Sequence, residues 1–221
     1  MPTVISHPAV ALGVFPWFRR RLGHPALLLV GMVLTVLPDI DVVGFRFGIA
    51  YGDLLGHRGL THSLPFALAV GGLVAWPASR LAGGRFGALW LYFSLCLASH
   101  GLLDALTDGG LGVAFLSPIS NERYFFDFRP IRVSALSVQR FFGADWTGLL
   151  AIEARWIWLP ALVAGAAGIT AGRLRDSLDA RAAATAPAER AERIRRQSSI
   201  RTEGIASRDS LCADKAARPL K

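Results

Sequence analysis

Residues 86–104 read FGALWLYFSLCLASHGLLD. From Phe86 to Leu103 the stretch is uncharged apart from His100, and it closes on Asp104. An uncharged apolar run of this length is long enough to cross a bilayer as a helix, which takes roughly 17–25 residues. On such a helix His100 and Asp104 stand at i and i+4, so both side chains lie on one face. Ionisable groups inside an apolar span are costly, and they mark functional sites by default. This stretch therefore predicts a transmembrane helix with a polar, chemically competent end.

Four further apolar segments flank it. Val4 to Phe18 is uncharged apart from His7, and Gly59 to Ser79 apart from His62. Pro25 to Pro38 and Trp156 to Gly172 hold no charge at all. The segments at Gly59 and Phe86 are long enough to span, and that at Trp156 sits at the lower limit. The Pro25 segment is too short unless it runs through Asp39 and Asp41 to Val43. Composition agrees. Of 221 residues 52% are hydrophobic and 18% charged, against roughly 25% charged in soluble chains. Mean hydropathy is +0.41. The fold expected is an all-α polytopic membrane bundle of about four or five short spans.

The net charge of +8 is uneven, and residues 173–221 carry +5 of it. A basic chain can signal nucleic-acid binding. A basic tail after a membrane helix is explained more simply by anionic headgroups on the cytoplasmic side, so no nucleic-acid partner is expected. Two units follow: residues 1–172 embedded in the membrane, and residues 173–221 as a basic tail, helical at its start and disordered beyond. Residues 107–155 read as a long extramembrane loop folded over the helix ends. Residues 1–18 lack a basic leading region and are broken by Pro2, Pro8 and Pro16, so no secretory signal peptide is read. Cys96 and Cys212 have no CxxC spacing and no assigned role.

Arginines set the orientation. Arg19 to Arg21, then Arg80 and Arg85, then the tail all fall on one side of a five-span chain, which should be cytoplasmic. Arg123, Arg129, Arg132, Arg140 and Arg155 in the long loop oppose that assignment.

The polar side chains fall at segment ends. Asp39 and Asp41 close the second segment behind Pro38. His57, Arg58, Thr61, His62 and Ser63 open the third. His100 and Asp104 end the fourth, and His7 starts the first. In an alternating chain of five spans all four places lie on the same side, whichever way the protein is inserted. Mixed histidine and carboxylate ligands suit zinc first, with manganese or iron as alternatives.

These pieces resemble the YdjM-like family of membrane-bound metal-dependent hydrolases. The matching stretches are SHPAV, LPDIDVV, GHRGLTHSL, ASHGLLDALTDGG, LSPISNERYFF and FRPIRVS, from His7 to about Val133, with WIWLPAL continuing the likeness. The resemblance implies a multi-span protein of the bacterial inner membrane with hydrolase activity, and supplies no substrate. A weaker likeness joins the order His, Asp, His, HxxxD to the metal site of zinc-dependent phospholipase C and single-strand nucleases. On that pattern His7, Asp39 or Asp41, His57 or His62, His100 and Asp104 are ligands and Asp104 bridges two ions. No histidine follows His100, so a three-zinc site is not expected and one or two ions are.

The activity expected is hydrolysis of a phosphoester, with lipid headgroups as candidates, by metal-activated water. Arg58 would hold phosphate, helped by Arg123 or Arg129. Whichever of Asp39 and Asp41 is not a ligand would act as general base. A transporter or metal-handling protein using the same site, or a bundle merely stapled by metal, are the alternatives.

Overall fold

The structure is a computed structural model, and it describes residues 1–134, 145–184 and 195. Among the described residues, five helices build it. They are α1 (Pro8–Leu22), α2 (Leu27–Val36), α3 (Leu64–Ala82), α4 (Phe86–Ala105) and α5, which starts at Trp146 and is helical through Ala184. Behind α2 the chain tightens into a 3-10 stretch, Leu37–Phe47, and the two together form one apolar helix of 21 residues. Among the described residues four helices are long and apolar enough to cross a membrane: Leu27–Phe47, α3, α4 and α5. The short segment read at Pro25 does run on past both aspartates. Helix α1 is a shorter fifth element packed against the bundle through Ala11 and Leu22. The chain divides into two compact units, Met1–Gly172 and Arg173–Lys221. Most of the tail expected to be disordered lies outside the described residues.

Helix α4 is the centre of the bundle. Tyr92, Phe93, Cys96 and Leu97 pack on Ala11 and Leu22 of α1, Leu27 and Leu34 of α2, and Ala67 and Ala75 of α3. Apolar side chains gain nothing over lipid by meeting one another, so close approach must come from small residues that let backbones near each other. Gly71 of α3 faces Ser94, and Gly31 of α2 faces the Tyr92 ring. Gly13 of α1 meets the backbone of Ala161 in α5, where an added Cβ would stand 2.6 Å from the carbonyl oxygen.

The two ends of the bundle differ in kind. At one end, the N–H of Arg85 donates to the carbonyl of Arg21 at 2.9 Å. This ties the end of α1 to the α3–α4 turn and gathers Arg19–Arg21, Arg80 and Arg85. At the other end the segment after α4 folds back over the helices. Ala114 N–H donates to the Arg58 carbonyl at 3.0 Å, Leu64 N–H to Phe115 at 2.9 Å, and Asp108 N–H to Ile131 at 3.0 Å.

The loop is shorter than the expected 107–155. Trp146–Glu153 is already helical, with the Asp145 carboxylate accepting from Gly148 N–H as its cap. The sequence placed the helix start at Trp156 because Glu153 and Arg155 interrupt the apolar run. Glu153 is instead fully buried and hydrogen-bonded inside the bundle.

The α1–α5 seam predicts a contrast. Gly13→Val should destabilise the detergent-solubilised protein by about 1–3 kcal/mol, the usual cost of overpacking. Gly87→Ala, at an exposed glycine with nothing within 4 Å of its added Cβ, should be neutral or slightly stabilising. Thermal unfolding followed by intrinsic fluorescence measures both, and equal losses would contradict the seam.

Candidate metal centre

Seven histidines and aspartates and one arginine converge where α2, α3 and α4 end at the loop face. His7 precedes α1, Asp39 and Asp41 sit in the 3-10 stretch, His57 and Arg58 in the following turn, His62 in the short 3-10 turn Leu60–His62, and His100 and Asp104 on α4. All are buried except Asp39, whose side chain is 10% exposed.

Several donors have their far side fixed by the protein. His100 donates from Nδ1 to the Thr35 carbonyl at 2.7 Å. That carbonyl belongs to the last turn of α2, where the change to 3-10 pairing and the missing N–H of Pro38 leave acceptors free. Its Nε2 therefore carries the lone pair and faces Asp39 Oδ1 at 3.2 Å. Asp41 plays the same orienting part for two rings. Its Oδ1 holds His57 Nδ1 at 2.8 Å, and its Oδ2 holds His62 Nδ1 at 3.1 Å and the Thr61 hydroxyl at 2.7 Å. The two histidines do not share a helical face, and they need not, because the turn between them folds both onto one carboxylate.

What remains is a set of buried atoms with no hydrogen-bond partner in the protein: both nitrogens of His7, Nε2 of His62 and His100, both oxygens of Asp39 and Oδ1 of Asp104. Buried polar atoms left this way cost of order 1–3 kcal/mol each, so a cluster of them requires a common partner. The spacing identifies its kind. Ligand atoms about 2.1 Å from a tetrahedral ion stand about 3.4 Å from one another. Here His100 Nε2 to Asp39 Oδ1 is 3.2 Å, His62 Nε2 to Asp104 Oδ2 is 3.5 Å, and His62 Nε2 to Asp39 Oδ1 is 3.8 Å. Three overlapping groups satisfy metal-ligand spacing: His7, Asp39 and His100; Asp39, His57 and His62; and His62, His100 and Asp104. The residues present fit a divalent cation. The local field agrees. Burial by itself would push the proton off His62, but the carboxylates of Asp104 and Asp41 reverse this and raise its pKa from 6.5 to about 9.

The arginines lie differently from one another. Arg58 is 1% exposed and sits at φ +62°, an unusual backbone region for a residue with a side chain. Its Nε pairs with Asp104 Oδ2 at 3.0 Å, Nη1 donates to the Gly109 carbonyl at 2.8 Å, and Nη2 donates to the Thr107 hydroxyl at 3.0 Å. Arg123 donates to the carbonyls of His57 and Tyr51, each at 3.0 Å, and so braces the His57 turn. Arg129 stacks on the Phe125 ring, outside the cluster.

Glu153 is the residue that sequence reading passed over. It accepts from Thr3 N–H at 2.6 Å, from the Thr3 hydroxyl at 2.5 Å and from the Ser6 hydroxyl at 2.6 Å, so it clamps the segment that carries His7. In sequence it is one acidic residue among the loop charges. Only its place one turn before the Trp156 run hints at burial.

These features define a multi-pass membrane protein with a buried His/Asp cluster suited to a divalent metal. The chain belongs to the YdjM inner membrane protein family, whose model matches residues 1–175. It is 40% identical over 163 residues to the Inner membrane protein YbcI of Escherichia coli (strain K12), covering 74% of this chain and 94% of that protein. No solved structure gives a significant match.

Glu153→Gln should weaken zinc binding by roughly 10–100-fold, as loss of an outer hydrogen-bond partner does, and should have little further effect in a His7→Ala background. Competition with a chromophoric chelator measures this. An equal loss in both backgrounds would mean that Glu153 does not act through His7.

Proposed function

We propose that this protein is a metal-dependent hydrolase of the inner membrane that cleaves a phosphoester, with a lipid headgroup as the favoured substrate. The observation that carries the reading is the set of unpartnered, buried donors on His7, Asp39, His62, His100 and Asp104 at the mutual spacing of metal ligands. In this reading residues 1–172 form the hydrolase-like unit and residues 173–221 its cytoplasmic tail. The arginine-rich end, with Arg19–Arg21, Arg80 and Arg85, then faces the cytoplasm, and the cluster opens at the opposite face.

Zinc fits the mixed nitrogen and oxygen donors, and manganese or iron are the alternatives. A bound ion supplies Lewis acidity to a phosphoryl oxygen and acidifies water towards neutral pH. The chain's own residues do the rest. Asp41 is held by His57, His62 and Thr61, so it orients imidazoles, and Asp39 is the carboxylate left to the ion. With Nδ1 of His57 fixed on Asp41, Nε2 of that ring is free to take a proton from water, and Asp41 stabilises the imidazolium that forms. Arg58 neutralises and aims Asp104. Arg123 holds the His57 turn, and Arg129 stands further out, where it can attract an anionic group. An open coordination position on the ion would favour catalysis over a metal that only staples helices. A transporter would favour donors near the bilayer midplane, whereas these lie at span ends.

The test uses protein purified in detergent, stripped with a chelator and reloaded with zinc or manganese. Bis(p-nitrophenyl) phosphate and phosphatidylglycerol serve as probes. Reloading should restore hydrolysis, and Asp39→Asn should reduce it by about 100-fold or more. Equal turnover by stripped, reloaded and Asp39→Asn protein, or none from the reloaded protein, would refute the reading.

A further inference from the structure

We propose that a groove between α1 and α5 seats an acyl chain of an anionic phospholipid whose headgroup lies at the His/Asp cluster. This names the substrate class of that site and rests on the hydrolase reading. The groove has a volume of about 290 Å³ and no charged side chain in its walls. Leu12 and Pro16 of α1 form one side, and Leu162, Ala166 and Ile169 of α5 form the other.

Its upper end is tied to the metal centre. Ala9 and Trp158 close the groove there. Ala9 is two residues beyond His7, a rise of about 3 Å along the helix. Trp158 turns its ring into the groove wall while its indole N–H donates to the Ser6 hydroxyl at 3.0 Å, next to His7. The π-helical turn Ala154–Trp158 brings it to this position directly after Glu153. A ring with an apolar body and one hydrogen-bonded edge is the usual occupant of the boundary between headgroup and hydrocarbon. Arg155, within a turn of it, is exposed and lies over the Trp156 ring, where it offers a positive charge at headgroup level.

Length fits as well. Trp158 to Ile169 covers about 16 Å of helix, close to half of a hydrocarbon core of about 30 Å, which is the reach of one leaflet's chain. A transmembrane helix is a poorer occupant. Helices approach through small residues, and that stripe on α5 already faces α1: Ala161 and Gly165 meet Gly13, and Gly168 meets Trp17 and Pro16. The groove runs beside that seam, with Ala161 and Gly165 in its lining and the aliphatic side chains of Leu12, Leu162 and Ile169 on its walls.

The experiment reconstitutes the full-length, zinc-loaded protein with phosphatidylglycerol carrying a diazirine on one acyl chain, irradiates it, and maps the crosslinks by mass spectrometry. In the wild type they should concentrate on Leu12, Leu162 and Ile169. Ala166 is exposed in the groove wall and belongs to neither buried apolar cluster, so the groove is filled by Ala166→Phe; a ring displacing two methylenes of the lipid should lower crosslinking by about tenfold. Leu73→Phe, on the lipid-facing side of α3, should leave it unchanged. Crosslinks spread evenly over all lipid-facing helices, or the same yield in Ala166→Phe, would overturn the proposal, and the wild-type map decides the matter even if that variant misfolds. Headgroup release from the same lipid is assayed in parallel. Groove crosslinks without release would sink the hydrolase reading and the lipid's role as substrate while leaving the groove as a lipid seat, whereas release without groove crosslinks would do the reverse.

Discussion

Carboxylates and imidazoles taken out of water need partners, and in the YdjM-family chain described here they find them largely in one another. Asp104 is fully buried on a helix long enough to span a bilayer, within reach of Arg58 and His62. Asp39 reaches both His100 and His62. Asp41 holds the remaining faces of His57 and His62. Because these residues come from α4, the 3-10 stretch and the turn before α3, the ends of three spans must meet at one point. The loop that covers them, and the clamp of Glu153 on the segment before α1, follow from that requirement.

The same cluster explains why the protein tolerates so many unsatisfied groups. Without a cation, three carboxylate oxygens and four imidazole nitrogens would be desolvated with little return. With one, the repulsion between Asp39 and Asp104 becomes attraction to a shared charge. Binding energy of the ion is then part of the folding energy of this end of the bundle. The arginine-rich end has no such demand, and it is held by backbone hydrogen bonds and small-residue contacts.

Much of this was legible in the sequence. The spacing of His100 and Asp104 on a helix, and the fall of every polar group at a span end, follow from periodicity and alternation alone. The 3-10 stretch was half visible, since Pro38 marks a change of pairing but not that the apolar helix runs on to Phe47. The part played by Glu153 was hidden. Its partners, Thr3 and Ser6, are about 150 positions away, and no local pattern encodes a contact of that range. Arg58 shows the opposite case. Its residue type suggested an anion, and only the fold shows that the nearest anion is Asp104.

The central claim is that the cluster holds a metal, and elemental analysis of the protein purified in detergent tests it most directly. Wild type and His100→Ala, both confirmed as monodisperse and helical, would be compared after dialysis against trace zinc. About one or two equivalents of zinc in the wild type, lost in His100→Ala, is the result the account predicts. A well-folded wild type that retains no zinc, manganese or iron even after each is added back would contradict it.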